Sequence, residues 1–167
     1  SLVALLRVMG RHGVKDIVFS SSCTVYGDSH QLPVTEATPA ADAASPYGYT
    51  KVVCEHLLRD VAAADPAMKV VMLRYFNPIG AHPSAAIGEL PIGTPNNLVP
   101  FITQAASGLR DKLTIFGDDY PTPDGSCIRD YIHVVDLAKA HARALGWMAE
   151  RSAPVCETFT LGTGRGS

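Results

Sequence analysis

The sequence predicts an α/β fold built on a parallel sheet, and three observations predict it. Two continuous apolar runs, at residues 16–20 and 70–75, read as strands buried on both faces. A segment of helical length and spacing joins them, which makes a βαβ unit with a right-handed crossover. Finally, 167 residues at 47% hydrophobic and 18% charged suffice for one sizeable core and exclude disorder.

Taken in order, residues 2–11 place Leu2, Leu5, Leu6 and Met9 at helical spacing, and Gly13 closes that stretch. The strand at 16–20 runs into a polar turn, Ser20-Ser21-Ser22, and a Pro- and Ala-rich loop follows over 28–44. Ser45 reads as an N-cap with Pro46 at the first helical position, where a missing N–H costs nothing. That helix carries Val53, Leu57, Leu58 and Val61 until Asp65-Pro66 stops it. The next strand, 70–75, is ended by Asn77-Pro78. Residues 81–95 are loop, 97–107 helix and 113–116 strand, and a turn-rich loop follows at 117–126. Residues 135–149 read as the last helix and 157–161 as the last strand. In parallel sheets ligands sit outside the carboxyl ends of the strands, which draws attention to Ser20–Ser22 and to Tyr75–Asn77.

Fourteen Lys+Arg against sixteen Asp+Glu give a net charge of −2 with no basic cluster, which argues against a nucleic-acid partner. No apolar run approaches the roughly 18–20 residues that span a bilayer, so no membrane partner is expected. The four cysteines (Cys23, Cys54, Cys127, Cys156) form no Cys-x-x-Cys pair and are expected to be small buried hydrophobes in a reducing, cytoplasmic setting. The six histidines show no ligand spacing, so no metal is expected. The chain opens at Ser1 without Met and closes just after a strand, and it is expected to continue at both ends.

The chemistry is carried by Tyr47 and Lys51, four apart on a helix and therefore on one face. A phenol has a pKa near 10, and bringing it to about 7 takes roughly 4 kcal/mol of differential stabilisation of the phenolate. An ammonium one turn away supplies much of that. Alone, a Tyr-x-x-x-Lys pair is a weak signal, and two solvated neighbours would explain it. Ser22 strengthens it, because a hydroxyl donor at a strand end facing that helix suits carbonyl/alcohol interconversion. Asn77 and the pair Asn96-Asn97 offer amides, though a strand-end turn and a helix N-cap account for them equally. Arg129 reads either as a clamp on a phosphate or as an ion-pair partner of Asp130. His133 is expected to pack or cap beside the last helix, and Gly162-x-Gly164-x-Gly166 is a weak phosphate-loop signal.

Longer strings are more specific: residues 20–27 (SSSCTVYG), 45–51 (SPYGYTK), 73–83 (LRYFNPIGAHP), 95–100 (PNNLVP), 115–120 (IFGDDY) and 129–134 (RDYIHV). In this order they resemble the UDP-glucose 4-epimerase family of extended short-chain dehydrogenase/reductases, over essentially the whole chain. The resemblance implies the second half of a Rossmann-type parallel sheet in residues 1–80, with the catalytic Ser, Tyr and Lys. It implies that residues 81–167 form mostly the smaller C-terminal substrate-binding region, with segments returning to the sheet. Tyr47 would be the acid/base at the sugar 4-hydroxyl, Ser22 would hydrogen-bond the same oxygen, and Lys51 would lower the Tyr pKa and bind the nicotinamide ribose. Phe76 would lie by the nicotinamide of NAD through its backbone. Asn77, Asn97, Leu98, Thr114, Phe116 and Arg129 would hold the UDP moiety, with Arg129 on the diphosphate. The implied reaction interconverts UDP-glucose and UDP-galactose, with hydride passing from C4 to NAD and back to the other face of the sugar, in a homodimer.

The Gly-rich dinucleotide turn and the acidic residue expected about 20 residues beyond it do not occur in these 167 residues. The chain alone is therefore expected to be inactive. A 4,6-dehydratase needs a further acid and base after the Thr that follows the catalytic strand, but here Cys23-Thr24 leads to no carboxylate before Asp28. A non-catalytic module of the same fold is the remaining alternative, and an intact Ser22, Tyr47 and Lys51 speaks against it.

Overall fold

The computed structural model describes residues 1–29, 32–40, 43–152 and 154–166. Along the chain run α1 (Leu2–Arg11), β1 (Asp16–Ser20), a 3-10 turn (Cys23–Tyr26), α2 (Pro46–Ala64), β2 (Lys69–Tyr75) and β3 (Asn77–Ile79). They are followed by α3 (Leu98–Ala106), β4 (Tyr131–His133), α4 (Val134–Ala149) and β5 (Val155–Leu161). Strands β1, β2 and β5 form one parallel sheet in that order, with Ser20 opposite Leu73 and Tyr75 opposite Leu161. Strands β3 and β4 pair in parallel beside it.

The apolar run of β2 is continuous because both faces of this central strand are covered. Val70 and Met72 point to one face and meet Met9 of α1 and Leu58 of α2, with Leu6 and Ile17 closing the edge. Val71 and Leu73 point to the other and meet Ala144 and Met148 of α4. There the Trp147 and Phe159 rings sit edge to face, 5.5 Å between centroids. Leu58 and Met148 are fully buried, each worth about 1.5–3 kcal/mol over an exposed side chain. Helices on both faces of a parallel sheet make this the α/β architecture the sequence predicts.

Helix α2 starts as its sequence dictates. Ser45 Oγ accepts the Gly48 N–H at 3.1 Å, and Pro46 occupies the first turn. At the other end Asp65 breaks the helix, accepts the Ala67 N–H at 3.0 Å and pairs with Lys15 Nζ at 2.5 Å. His133 caps α4, its Nδ1 accepting the Val135 N–H at 3.2 Å.

Two expectations are corrected. Residues 113–116 are not a strand: among the described residues no neighbouring strand satisfies their backbone, and Ile115 and Phe116 are 80% and 97% exposed. Strand β2 does end before Asn77-Pro78, and the two residues open the separate short strand β3, a two-stranded edge where the missing proline N–H is tolerated. The cysteines are not uniformly buried: Cys127 and Cys156 are exposed, the latter on the edge strand β5. No helix among the described residues is long and apolar enough to cross a membrane.

Candidate active site

The site is assembled where β1 and β2 end. After Ser20 the chain turns into the 3-10 segment, whose N-cap is Ser22. Ser22 Oγ accepts the Thr24 N–H at 3.2 Å and the Thr24 hydroxyl at 3.0 Å. With both acceptor positions taken, the Ser22 hydroxyl proton is left to be donated, which suits an oxygen that carries developing negative charge.

The first turn of α2 lies against this segment because residue 48 is glycine. A Cβ there would sit 3.0 Å from the Thr24 carbonyl oxygen and 2.9 Å from Ala43 Cβ. That close approach brings Tyr47 and Lys51 beside the serines. Lys51 Nζ donates to the Ser20 carbonyl at 2.8 Å and lies 5.2 Å from the Phe19 ring centroid and 5.5 Å from that of Tyr47. Tyr47 is 54% exposed, and its ring and Lys51 line a groove of about 450 Å³ floored by Ile17 and Phe19 of β1 and edged by Leu2 and Leu5 of α1.

A larger cavity of about 900 Å³ opens where β2 and β5 end and β3 begins, and Cys23, Thr24, Phe76, Asn77 and Arg129 line it. Asn77 sends its backbone N–H and its side-chain amide to the Asp130 carbonyl, both at 3.1 Å. The Asp130 carboxylate does not turn to Arg129. It accepts the Thr163 N–H, the Thr163 hydroxyl at 2.7 Å and the Gly164 N–H at 3.0 Å, tying the loop after β5 over the cavity. Gly162 packs there, since a Cβ would meet Asp130 Oδ2 at 2.6 Å and the Phe76 ring at 2.7 Å. Gly162 and Gly166 therefore serve close packing, whereas Gly164 has open space around it and turns the chain with a φ of 70°. Arg129 donates from Nη1 to the Ile128 carbonyl at 2.9 Å and is exposed, with donors left for an anion. Burial pushes the Cys23 thiol up, so it stays protonated, despite the Ser22 hydrogen bond that acts in the other direction.

The structure thus brings Ser22, Tyr47 and Lys51 around the start of α2 and places Phe76, Asn77 and Arg129 in the larger cavity. Asn97, Leu98, Thr114 and Phe116 line neither cavity and lie on the exposed stretch between β3 and β4. Asn97 is the N-cap residue of α3, yet its amide goes to Glu89 Oε1 at 3.1 Å.

Sequence reasoning missed a buried charge cluster directly beneath the serines. Glu55, one turn beyond Lys51, is fully buried, and its Oε1 accepts the Ser21 hydroxyl at 2.5 Å. Arg74, next to the last residue of β2, grips both oxygens, Nε to Oε1 at 2.9 Å and Nη2 to Oε2 at 2.6 Å. The guanidinium also stacks 4.8 Å from the Tyr26 ring centroid. Burial pushes the Glu55 carboxyl up, but the hydrogen bonds from Arg74 and Ser21 and the charges of Arg74 and Arg59 outweigh it and hold the group below its ordinary value. Removing one partner of such a pair costs about 3–5 kcal/mol, because an uncompensated charge stays behind. The signal available in the sequence was an arginine inside an apolar strand and an acid on the buried face of α2.

The chain belongs to the NAD dependent epimerase/dehydratase family, whose model matches residues 2–157. It is 54% identical over 164 residues to the UDP-glucose 4-epimerase of Mus musculus, covering 98% of this chain and 47% of that protein. The chain therefore spans about half the length of such relatives. Among solved structures it resembles the UDP-glucose 4-epimerase of Stenotrophomonas maltophila with bound NAD and formylated UDP-arabinopyranose: TM-score 0.92, 52% identity, 99% of this chain and 48% of that one. The Bifidobacterium longum enzyme in complex with NAD+ and UDP gives a TM-score of 0.91 at 48% identity, again over 99% of this chain and 48% of the other.

Proposed function

We propose that this chain supplies the acid–base group and part of the nucleotide-sugar site of an enzyme that interconverts UDP-glucose and UDP-galactose at C4. The observation that carries this reading is the Lys51 ammonium, held by the Ser20 carbonyl beside the exposed Tyr47 ring, on the helix that packs against the turn Ser22 caps. The activity of the mouse relative and the ligands in the bacterial structures support it.

In this reading Ser22 donates its hydroxyl proton to the sugar O4 in place of the Cys23 sulfur, and Tyr47 takes the O4 proton and later returns it. Lys51 lies beside the Tyr47 ring, where its positive charge stabilises negative charge developing on the phenolic oxygen, and it orients the ring. Phe76 and Asn77 border the reacting end, and Arg129 meets the diphosphate through its free donors. Residues 1–80 carry the reacting end, and 81–167 carry most of the UDP contacts, including Asn97, Leu98, Thr114 and Phe116. The donor set fits the nicotinamide end of NAD: Lys51 gives one proton to Ser20 and has two left for ribose hydroxyls. It does not fit the pyrophosphate, for which the 167 residues hold no G-x-G-x-x-G turn. NAD, when bound, accepts and returns the C4 hydride.

The test is incubation of the complete gene product with NAD and UDP-galactose, followed by proton NMR of the sugar. UDP-glucose accumulating to equilibrium is the expected result. A 4-keto-6-deoxy product, or no turnover, overturns the proposal.

A further inference from the structure

Ser20, Ser21 and Ser22 are consecutive, and each is held by a different partner. The Ser20 carbonyl receives Lys51, Ser22 caps the 3-10 turn, and Ser21, fully buried between them, donates to Glu55. Glu55 is in turn held at both oxygens by Arg74, and Arg74 lies against Tyr26 at the far end of the 3-10 turn. The Tyr26 hydroxyl reaches Thr160 Oγ1 on β5 at 2.6 Å. One buried carboxylate, carried on the helix that bears Tyr47 and Lys51, is thus bonded to the serine segment and to the central strand at once.

We propose that Glu55, clamped by Arg74, is a positioning residue that acts through Ser21 to set Ser22 against Tyr47 and Lys51. The proposal rests on the epimerase reading above for its kinetic consequence. Neither Glu55 nor Arg74 touches the reacting atoms, and both lie outside the two cavities. A purely structural ion pair would need no third bond to the residue between the lysine's acceptor and the catalytic hydroxyl. The Ser21 hydroxyl makes that bond, and at 2.5 Å to a carboxylate it is a short, charge-assisted one.

The test removes this link and leaves the ion pair in place. Ser21→Ala in the complete gene product keeps Glu55 and Arg74 together, so no charge is orphaned. Its kcat for epimerisation is expected to fall about tenfold, with KM changed by less than about twofold and thermal midpoint near wild type. Amide exchange at residues 21–25 is expected to speed up about tenfold, with β2 and α4 unaffected. A kcat within twofold of wild type, or a loss that vanishes once rates are normalised to folded, cofactor-loaded protein, overturns the proposal. So does exchange that is unchanged or uniformly faster across the chain. If Ser21→Ala fails to fold, Ser21→Cys gives the same two readings, because a thiol is a far weaker donor to the carboxylate. A wild-type protein that does not epimerise rejects the functional reading, and the exchange measurement alone then decides the positioning role.

Discussion

At the scale of single residues, Glu55 is the group whose environment differs most from water. Its folded carboxyl is held below the ordinary value because Arg74, Ser21 and Arg59 outweigh burial. A lowered folded pKa means that the unfolded chain binds the proton first as pH drops. The stabilisation is therefore complete above the ordinary value of 4.5 and is lost as pH falls from there through the lowered folded value. Glu36, lowered by the Thr160 N–H, and Asp65, lowered by Lys15, add in the same direction. Urea midpoints of the chain are expected to hold steady from about pH 7 to 5 and to decline steeply below about pH 4. A midpoint flat down to about pH 3 would mean that the pair gives the carboxylate no preference for the folded state.

This residue also shows where sequence reading stopped. Tyr47 and Lys51 were legible because a four-residue spacing on a helix is a one-dimensional signal. Glu55 continues the same spacing, but its partner lies on β2, and only the crossover brings the two together. An arginine inside an apolar strand hints at a buried pair, but nothing local to residue 74 names the partner.

At the scale of elements, the start of α2 matters most. Its cap and proline were readable, and its contact with the 3-10 turn was not, because that turn has no periodic pattern. Gly48 permits the contact. In an exposed helix, Gly→Ala stabilises by up to about 1 kcal/mol. Here the added methyl meets the Thr24 carbonyl and Ala43, so Gly48→Ala is expected to destabilise by about 1–3 kcal/mol and to lower epimerase activity by displacing Tyr47. Urea unfolding checks the first part, and a stabilised variant would show that the approach of α2 to the turn is looser than described. The residues expected to form a strand at 113–116 make the complementary point. Their pattern suits a strand, but a strand exists only with a neighbour to bond, and a sequence window does not reveal the neighbour.

At the scale of the whole molecule, two surfaces are left open. Strand β1 stands at the edge of the sheet, and Leu90, Ile92 and Phe116 are 87%, 102% and 97% exposed on the stretch between β3 and β4. Such edges and apolar patches drive association. The 167-residue chain by itself is expected to self-associate in light scattering and, lacking a pyrophosphate turn, to release little NAD on denaturation. A clean monomer would contradict the first expectation, and stoichiometric NAD the second. The parallel pairing of β1 with β2 followed from reading buried apolar runs, whereas the place of β5 beside β2 did not, nor did the β3–β4 pair, which is too short to register as a pattern.

The central claim is that the Tyr47 hydroxyl moves the sugar O4 proton. Tyr47→Phe deletes that oxygen at a half-exposed position and leaves Lys51, Ser22 and the packing of α2 in place. Measured by proton NMR on UDP-galactose with the complete gene product, epimerisation by this variant is expected to fall at least about 10²-fold, with NAD still bound. Turnover within about twofold of wild type would contradict the account.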